Sequence, residues 1–312
     1  MKQITNDIMM IKPRSFRYNE QTALNNYYQN ILNDLSADEI QQNALNEFNN
    51  LSSKLIKAGV NVVVIDDDNL LDTPDSIFPN NWISFHTNKL VCIYPMYAEN
   101  RRDERREDII DKLIDEYGFI IDLVKDFTEF EDHNKFLEGT GSMVLDRQNK
   151  ICYAAISVRT DEKAVMHFCN EFGYKAVCFI ANQDFNGMRV PIYHTNVMMC
   201  IGNSFSVVCL DTIDSETERQ DVIMNLKETG KEIIEISEAQ KNRFAGNMLQ
   251  LMGDKAYIVM SSSAYTSLTL DQICRIEKHG PILHSKLDVI EACGGGSARC
   301  MIAEIFLPKE KI

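Results

Sequence analysis

The sequence predicts an α/β fold, a closed ring of five similar units that together form a five-bladed α/β propeller. Three observations carry that expectation. Five amphipathic helical patterns each stop at a glycine, and an apolar strand follows. Four of the helices are preceded by a strand–turn–strand pattern, and the pair missing from the fifth unit is split between the two ends of the chain. Self-similarity at a fixed period is the signature of repeat architectures.

The helix stops are Gly59, Gly118, Gly173, Gly230 and Gly280, spaced about 50–59 residues apart. Glycine just past a helix takes up the left-handed cap without steric cost. The strands that follow read VNVVVID, FIIDLV, YKAVCFI, KEIIEIS and the weaker PILHSK. In the helices, Ile109, Ile110, Leu113, Ile114 and Tyr117 share one face, as do Val165, Phe168, Cys169 and Phe172, and Val222, Ile223 and Leu226. The first helical region, about residues 20–58, has room for two helices, and Ser36-Ala37-Asp38-Glu39 reads as a capping box that starts the second.

The hairpins are WISFH with KLVCIYP, SMVLD with ICYAAIS, VMMCIG with FSVVCL, and MLQLM with AYIVMSS. Their turns carry Thr87-Asn88, Arg147-Gln148-Asn149, Gly202-Asn203 and Gly253-Asp254. The fifth pair is CMIAEIFLP at the end and DIMMIKP at the start. Joining them closes the ring and removes the edges an open array would leave. A doubly wound sheet would make hairpins between helices the exception, whereas here they are the rule. No linker or low-complexity segment divides the chain, so residues 1–312 read as a single domain of five pseudo-repeats.

Acidic residues outnumber basic ones 46 to 32, for a net charge of -14. That excess argues against nucleic acid and anionic membrane, which both select basic surfaces. No apolar run is long enough to span a bilayer, and the start lacks a signal-type stretch, so a cytoplasmic location is expected. The nine cysteines sit mostly in apolar runs, with no C-x-x-C and no paired Cys/His spacing. A disulfide framework and a metal site are therefore not expected, and eight of the nine read as packing residues. The sequence leaves open whether copies assemble into a homo-oligomer.

Each unit places an unusual residue at the entrance to its first hairpin strand, about 17 to 22 residues past its glycine. These are Asn81, Glu138, His194, Asn247 and Cys300. In a ring, equivalent positions converge at one end of the axis. A thiol, an imidazole and a carboxylate that meet there form the set needed for an activated cysteine nucleophile. Cys300 follows GGGSAR, whose glycines permit close approach of a ligand, and Arg299 beside it is expected to favour the thiolate. Cys293 falls out of phase. Asn247 reads as a structural residue at a strand or turn.

With those residues in hand, the chain resembles the guanidine-modifying, or pentein, superfamily, over nearly its full length. The matching segments are Pro74-Asp75-Ser76-Ile77-Phe78-Pro79-Asn80-Asn81, Met96 with Arg101-Arg102-Asp103-Glu104, Leu137-Glu138-Gly139, Ser157-Val158-Arg159-Thr160, His194-Thr195-Asn196, and Gly294-Gly295-Gly296-Ser297-Ala298-Arg299-Cys300-Met301. The resemblance implies a five-bladed propeller, a nucleophilic Cys300, a catalytic His194 and Glu138, and substrate contacts from Phe78, Asn81, Asn196 and Arg159. It implies no cofactor. Asn81 and Asn196 stand where arginine deiminases carry aspartates. Two carboxylates suit a cationic guanidinium, whereas amides suit a neutral group that has both C=O and N–H. FPNNW, EGTGS, HTN and GGGSARC resemble the citrulline-utilisation hydrolase branch.

The expected activity is therefore hydrolysis of the ureido C–N bond of citrulline to ornithine, ammonia and carbon dioxide. Alternative activities are an arginine deiminase, dihydrolase or amidinotransferase acting on a guanidino compound. A further alternative, from another class, is a non-catalytic pentein that binds a macromolecule.

Overall fold

Five helix stops foreseen at glycines are stops in the structure, with φ of 82° at Gly59, 68° at Gly118, 66° at Gly173, 69° at Gly230 and 145° at Gly280. The structure is a computed structural model that describes residues 2–67 and 71–310. Five three-stranded sheets share one topology. In each, an antiparallel hairpin is followed by a helix and then by a strand parallel to the hairpin's second strand.

The first of these sheets joins Ile83–His86, Leu90–Ile93 and Leu123–Asp126 around helix Glu107–Asp115. The second joins Val144–Asp146, Ile151–Ala155 and Lys175–Phe179 around Glu162–Phe172. The third uses Met199–Ile201, Phe205–Val208, helix Glu216–Glu228 and Glu232–Glu235. The fourth uses Leu249–Met252, Ala256–Ser261, helix Leu270–Glu277 and Ile282–Ser285. In the fifth, Ala303–Ile305 runs antiparallel to Asp7–Lys12, which pairs in parallel with Asn61–Asp66 after helix Ala37–Lys57. The two ends of the chain thus complete one sheet together.

The first hairpin strands are buried except at Met252 and Glu304, and several pack beside one another. Ala303–Ile305 lies against Ile83–His86, and Met199–Ile201 lies between Val144–Asp146 and Leu249–Met252. The helices cover the outer strands. Helix Ala37–Lys57 buries Phe48, Leu51 and Leu55 completely, and each such side chain contributes about 1.5–3 kcal/mol on leaving water. Its start at Ser36 has the capping box read from the sequence, with Ser36 and Glu39 each capping the other's backbone N–H.

Three elements differ from expectation. After Gly118 the strand begins only at Leu123, because Phe119 first bridges to Lys309. A two-stranded hairpin, Asn182–Phe185 with Met188–Pro191, stands outside the repeat. It turns at Asn186 and Gly187, both at positive φ. Asn-Gly is a strong signal for this hairpin turn. Helix Asp288–Gly294 leads into the segment that carries Cys300. Cys274 is exposed, so it is not one of the expected packing cysteines. Among the described residues, no helix is long and apolar enough to cross a membrane.

Candidate active site

A short turn precedes the first strand of every unit, and the turns carry the residues found in phase. Pro79–Asn81 forms a 3-10 turn, Glu138 precedes the helical turn Gly139–Ser142, and His194 precedes Thr195–Met198. Asn247 follows the turn at 242–246, and Cys300 lies in the turn at 298–301. The turn at Gly139–Ser142 packs between the other two helical turns, so the three residues meet. Gly139 has φ +46°, and a Cβ there would strike the Asn80 carbonyl.

His194 Nε2 lies 2.7 Å from Glu138 Oε2, and both residues are buried. A carboxylate only accepts, so Nε2 carries the hydrogen of this bond and Nδ1 is the basic nitrogen of the neutral ring. Glu138 Oε1 accepts the Tyr97 backbone N–H at 2.9 Å, and Arg159 Nη1 stands 3.5 Å from Oε2. Burial alone raises the Glu138 carboxyl, but Arg159, the His194 hydrogen bond and Arg101 overcome it and bring it to about 2. For His194 burial dominates: despite Glu138, the ring is lowered to about 4.

Cys300 is buried, and burial pushes its thiol up. The expectation that Arg299 would favour the thiolate is thus outweighed. The Arg299 guanidinium spends itself on the Ile302 carbonyl and on Glu304. Two amides point at the sulfur instead, Asn247 Nδ2 at 3.2 Å and Asn196 Nδ2 at 3.5 Å. Asn247, expected to be structural, therefore touches the thiol. Asn196, expected to touch substrate, faces the sulfur with its Nδ2.

A tight cavity of about 10 Å³ is lined by Phe78, Asn81, Arg159, His194 and Cys300 from the expected set, and also by Thr22, Asp75, Arg101 and Tyr193. Arg101 is buried, forks onto Glu104 at 2.8 Å through both Nε and Nη2, and donates from Nη1 to Asn81 Oδ1 at 2.8 Å. Guanidinium only donates, so the Asn81 oxygen must face Arg101. Asn81 Nδ2 is left buried, with no hydrogen-bond partner among the described residues. It lies beside Gly141, next to His194 Nδ1.

One face of the cavity is closed by the segment 19–30. Asn19 and Thr22 both donate to Asp75 Oδ2, at 2.8 and 3.0 Å. Gln29 and Asn26 donate to the Gly294 carbonyl, at 3.0 and 3.3 Å. The same segment occupies Arg159, whose Nε donates to Asn25 Oδ1 at 2.6 Å and whose Nη2 donates to the Thr22 carbonyl at 2.8 Å. The Tyr193 hydroxyl donates to the Gly295 carbonyl at 2.5 Å, and the Phe78 ring fills the space where a Cβ of Gly294 or Gly296 would stand. These contacts hold the glycine run in one conformation ahead of Cys300. Thr22 and Tyr193 were not picked out as site residues in the sequence, and Asp75 appeared there only as part of a segment match. Arg101 appeared there only as part of a segment match. Among the described residues, no group of three or more His, Cys, Asp and Glu residues is placed to hold a metal ion.

A family model described as N,N dimethylarginine dimethylhydrolase, eukaryotic, matches residues 12–307. No curated protein sequence matches the chain. Among solved structures, ArgZ, an arginine dihydrolase from the ornithine–ammonia cycle in cyanobacteria, is similar with a TM-score of 0.73 at 18% identity, over 97% of this chain and 41% of that one. The chain thus spans about two fifths of the length of ArgZ. The N-terminal domain of ArgZ bound to substrate gives 0.72 at 17% identity, over 96% of this chain and 97% of that one. A dimethylarginine dimethylaminohydrolase in adduct with S-methyl-L-thiocitrulline gives 0.61 at 13% identity, over 96% and 99%. These likenesses place the chain's α/β fold with theirs.

Proposed function

The chain belongs to the N,N dimethylarginine dimethylhydrolase family, and from that premise we propose that it is a cysteine-dependent hydrolase of the ureido C–N bond of citrulline. The family sits within the guanidine-modifying superfamily and makes the chain a hydrolase of non-peptide C–N bonds. In this reading the five sheets are blades of one propeller domain spanning residues 1–312, and the enzyme works in the cytoplasm on a small-molecule substrate.

The observation that supports a ureido group in the reaction, as substrate or as intermediate, is the orientation of Asn81. Its oxygen is committed to Arg101, so the group presented to the cavity is an N–H donor. A ureido carbonyl oxygen accepts from that donor. A guanidinium has only N–H groups and would leave Asn81 Nδ2 unpaired or in contact with another donor. A buried donor left unsatisfied costs roughly 1–3 kcal/mol.

The proposed reaction begins as the Cys300 thiol passes its proton to His194 Nδ1 and the sulfur adds to the ureido carbon. The C–N bond breaks as the departing nitrogen takes that proton from His194. Water, deprotonated in turn by His194, adds to the carbon and releases the thiol and a carbamate, which loses carbon dioxide as its remaining C–N bond breaks and the freed nitrogen takes up a proton. The sum is citrulline and water giving ornithine, ammonia and carbon dioxide. Glu138 fixes and orients the imidazole, since both its oxygens already accept protein donors. Phe78 packs the site wall. Arg159 receives the substrate carboxylate once it exchanges Thr22 and Asn25 for it.

A second reading is an arginine dihydrolase, which the ArgZ likeness favours. It also passes through a ureido group and would use Asn81 in its second step. Steady-state kinetics on citrulline, arginine and dimethylarginine, with product identification, tests both. Citrulline consumed to ornithine with the highest kcat/KM supports the first reading. Arginine preferred by kcat/KM refutes it, and activity surviving in Cys300→Ala refutes the mechanism.

A further inference from the structure

Asn247 stands in phase with Asn81, Glu138, His194 and Cys300, and its amide has a forced orientation. The Arg299 backbone N–H donates to Oδ1 at 3.0 Å. A backbone N–H cannot accept, so Nδ2 is the atom that faces the sulfur at 3.2 Å. The same Nδ2 donates to the Asn196 carbonyl at 2.9 Å. The preceding Gly246 is pressed against the turn that carries Asn196, where an added Cβ would lie 2.6 Å from the Val197 carbonyl oxygen. The Asn247 residue is fully buried, so no water competes for its donors.

We propose that Asn247, with Asn196 as the weaker second donor, is a catalytic residue that stabilises the Cys300 thiolate. It supplies from the protein what a cationic substrate would bring with it. The inference rests on Cys300 being the nucleophile of the proposed hydrolase. The thiolate, not the thiol, attacks carbon, and burial disfavours it. A guanidinium substrate carries positive charge to the sulfur on binding, whereas a ureido group carries none. The other charged or titratable groups around the sulfur are already committed. Arg299 holds Glu304, the Tyr193 hydroxyl holds Gly295, and His194 holds Glu138. Across the cavity, Arg101 holds Glu104, Arg159 holds Thr22 and Asn25, and Asp75 accepts from Asn19 and Thr22. Among the described residues, the side-chain donors to the sulfur are the two amides. On ionisation the thiol proton passes to His194, and the N–H groups of Asn247 and Asn196, with the Ser297 backbone, hold the negative charge that remains.

The test follows iodoacetamide labelling of Cys300 against pH by peptide mass spectrometry, which separates it from the other eight cysteines. Asn247→Asp keeps an acceptor for the Arg299 N–H but removes the donor, and Asn247→Ala removes both. The expected result is a labelling midpoint at least one pH unit higher in both variants. At neutral pH kcat/KM on citrulline falls at least tenfold, through kcat, with KM within about twofold. A labelling profile unchanged in a variant that melts as a folded protein overturns the proposal. If neither variant folds, Asn196→Asp must move the midpoint in the same direction, and an unchanged midpoint there overturns it. Full activity in Cys300→Ala would instead strike the underlying reading, so the two failures are distinguishable.

Discussion

Gly141→Ala isolates the geometry of the site from its chemistry. Gly141 lies in the helical turn Gly139–Ser142 and is not among the glycines at positive φ, so alanine meets no backbone strain there. The added methyl would stand 2.8 Å from His194 Nδ1 and 2.9 Å from Cε1, and closer still to Asn81 Nδ2. Comfortable contact is about 3.5–4.0 Å, so both groups must retreat by roughly 0.7 Å or more. Neither can swing away alone. His194 is tied to Glu138 at 2.7 Å, and Asn81 is tied to Arg101 at 2.8 Å. Overpacking of this kind costs about 1–3 kcal/mol of stability. A displacement approaching 1 Å in the reacting groups costs about 10²-fold in rate. Steady-state kinetics beside a thermal melt reads both quantities. The expected outcome is a folded protein, slightly destabilised, with kcat down about a hundredfold. Wild-type kcat in Gly141→Ala would refute the placement of Asn81 and His194 around this turn.

Two further outcomes follow from the same contacts. Asn81→Asp keeps an oxygen for Arg101 but turns the inward donor into an acceptor, so kcat/KM on citrulline should fall about 10–100-fold relative to arginine; an unchanged ratio would remove the donor role. Acid should destabilise the site in two steps. His194 at about 4 lies below its ordinary 6.5, and Glu138 at about 2 lies below its ordinary 4.5. The unfolded chain therefore binds more protons across both windows, and stability falls as pH falls. The His194 share is intact above 6.5 and lost toward 4, and the Glu138 share is intact above 4.5 and lost toward 2. Urea midpoints measured from pH 7 to 4 should decline less steeply in His194→Gln, and an equal slope would contradict the burial of a neutral imidazole.

The repeat was legible because its punctuation has a physical cause. A left-handed cap needs glycine, and five caps at one period expose the period. The same phase located Glu138, His194, Asn81, Asn247 and Cys300, because equivalent turns deliver equivalent positions. It did not reveal what Asn247 does. Whether an amide caps a turn or meets a sulfur depends on the neighbouring unit, and no pattern within one unit encodes it. Thr22 and Asn25 were invisible for a related reason. They sit in a polar segment with no counterpart in the other units, and they matter only through contact with Arg159 more than 130 residues away. The Asn186-Gly187 hairpin was legible in principle, since its dipeptide fits only a tight turn with positive φ, but it breaks the repeat that organised the reading. Arg299 does favour the Cys300 thiolate, but burial of the thiol outweighs it, and burial is not visible in adjacency along the sequence.

The sheet shared by Asp7–Lys12 and Ala303–Ile305 sets an order of events during synthesis. Cys300 comes just before the final strand of that sheet. Glu138, its partner His194 and the Arg159 beside them all precede it in the chain. In the proposed mechanism the thiol is thus the last of the reacting groups to be made, well after Glu138 and His194.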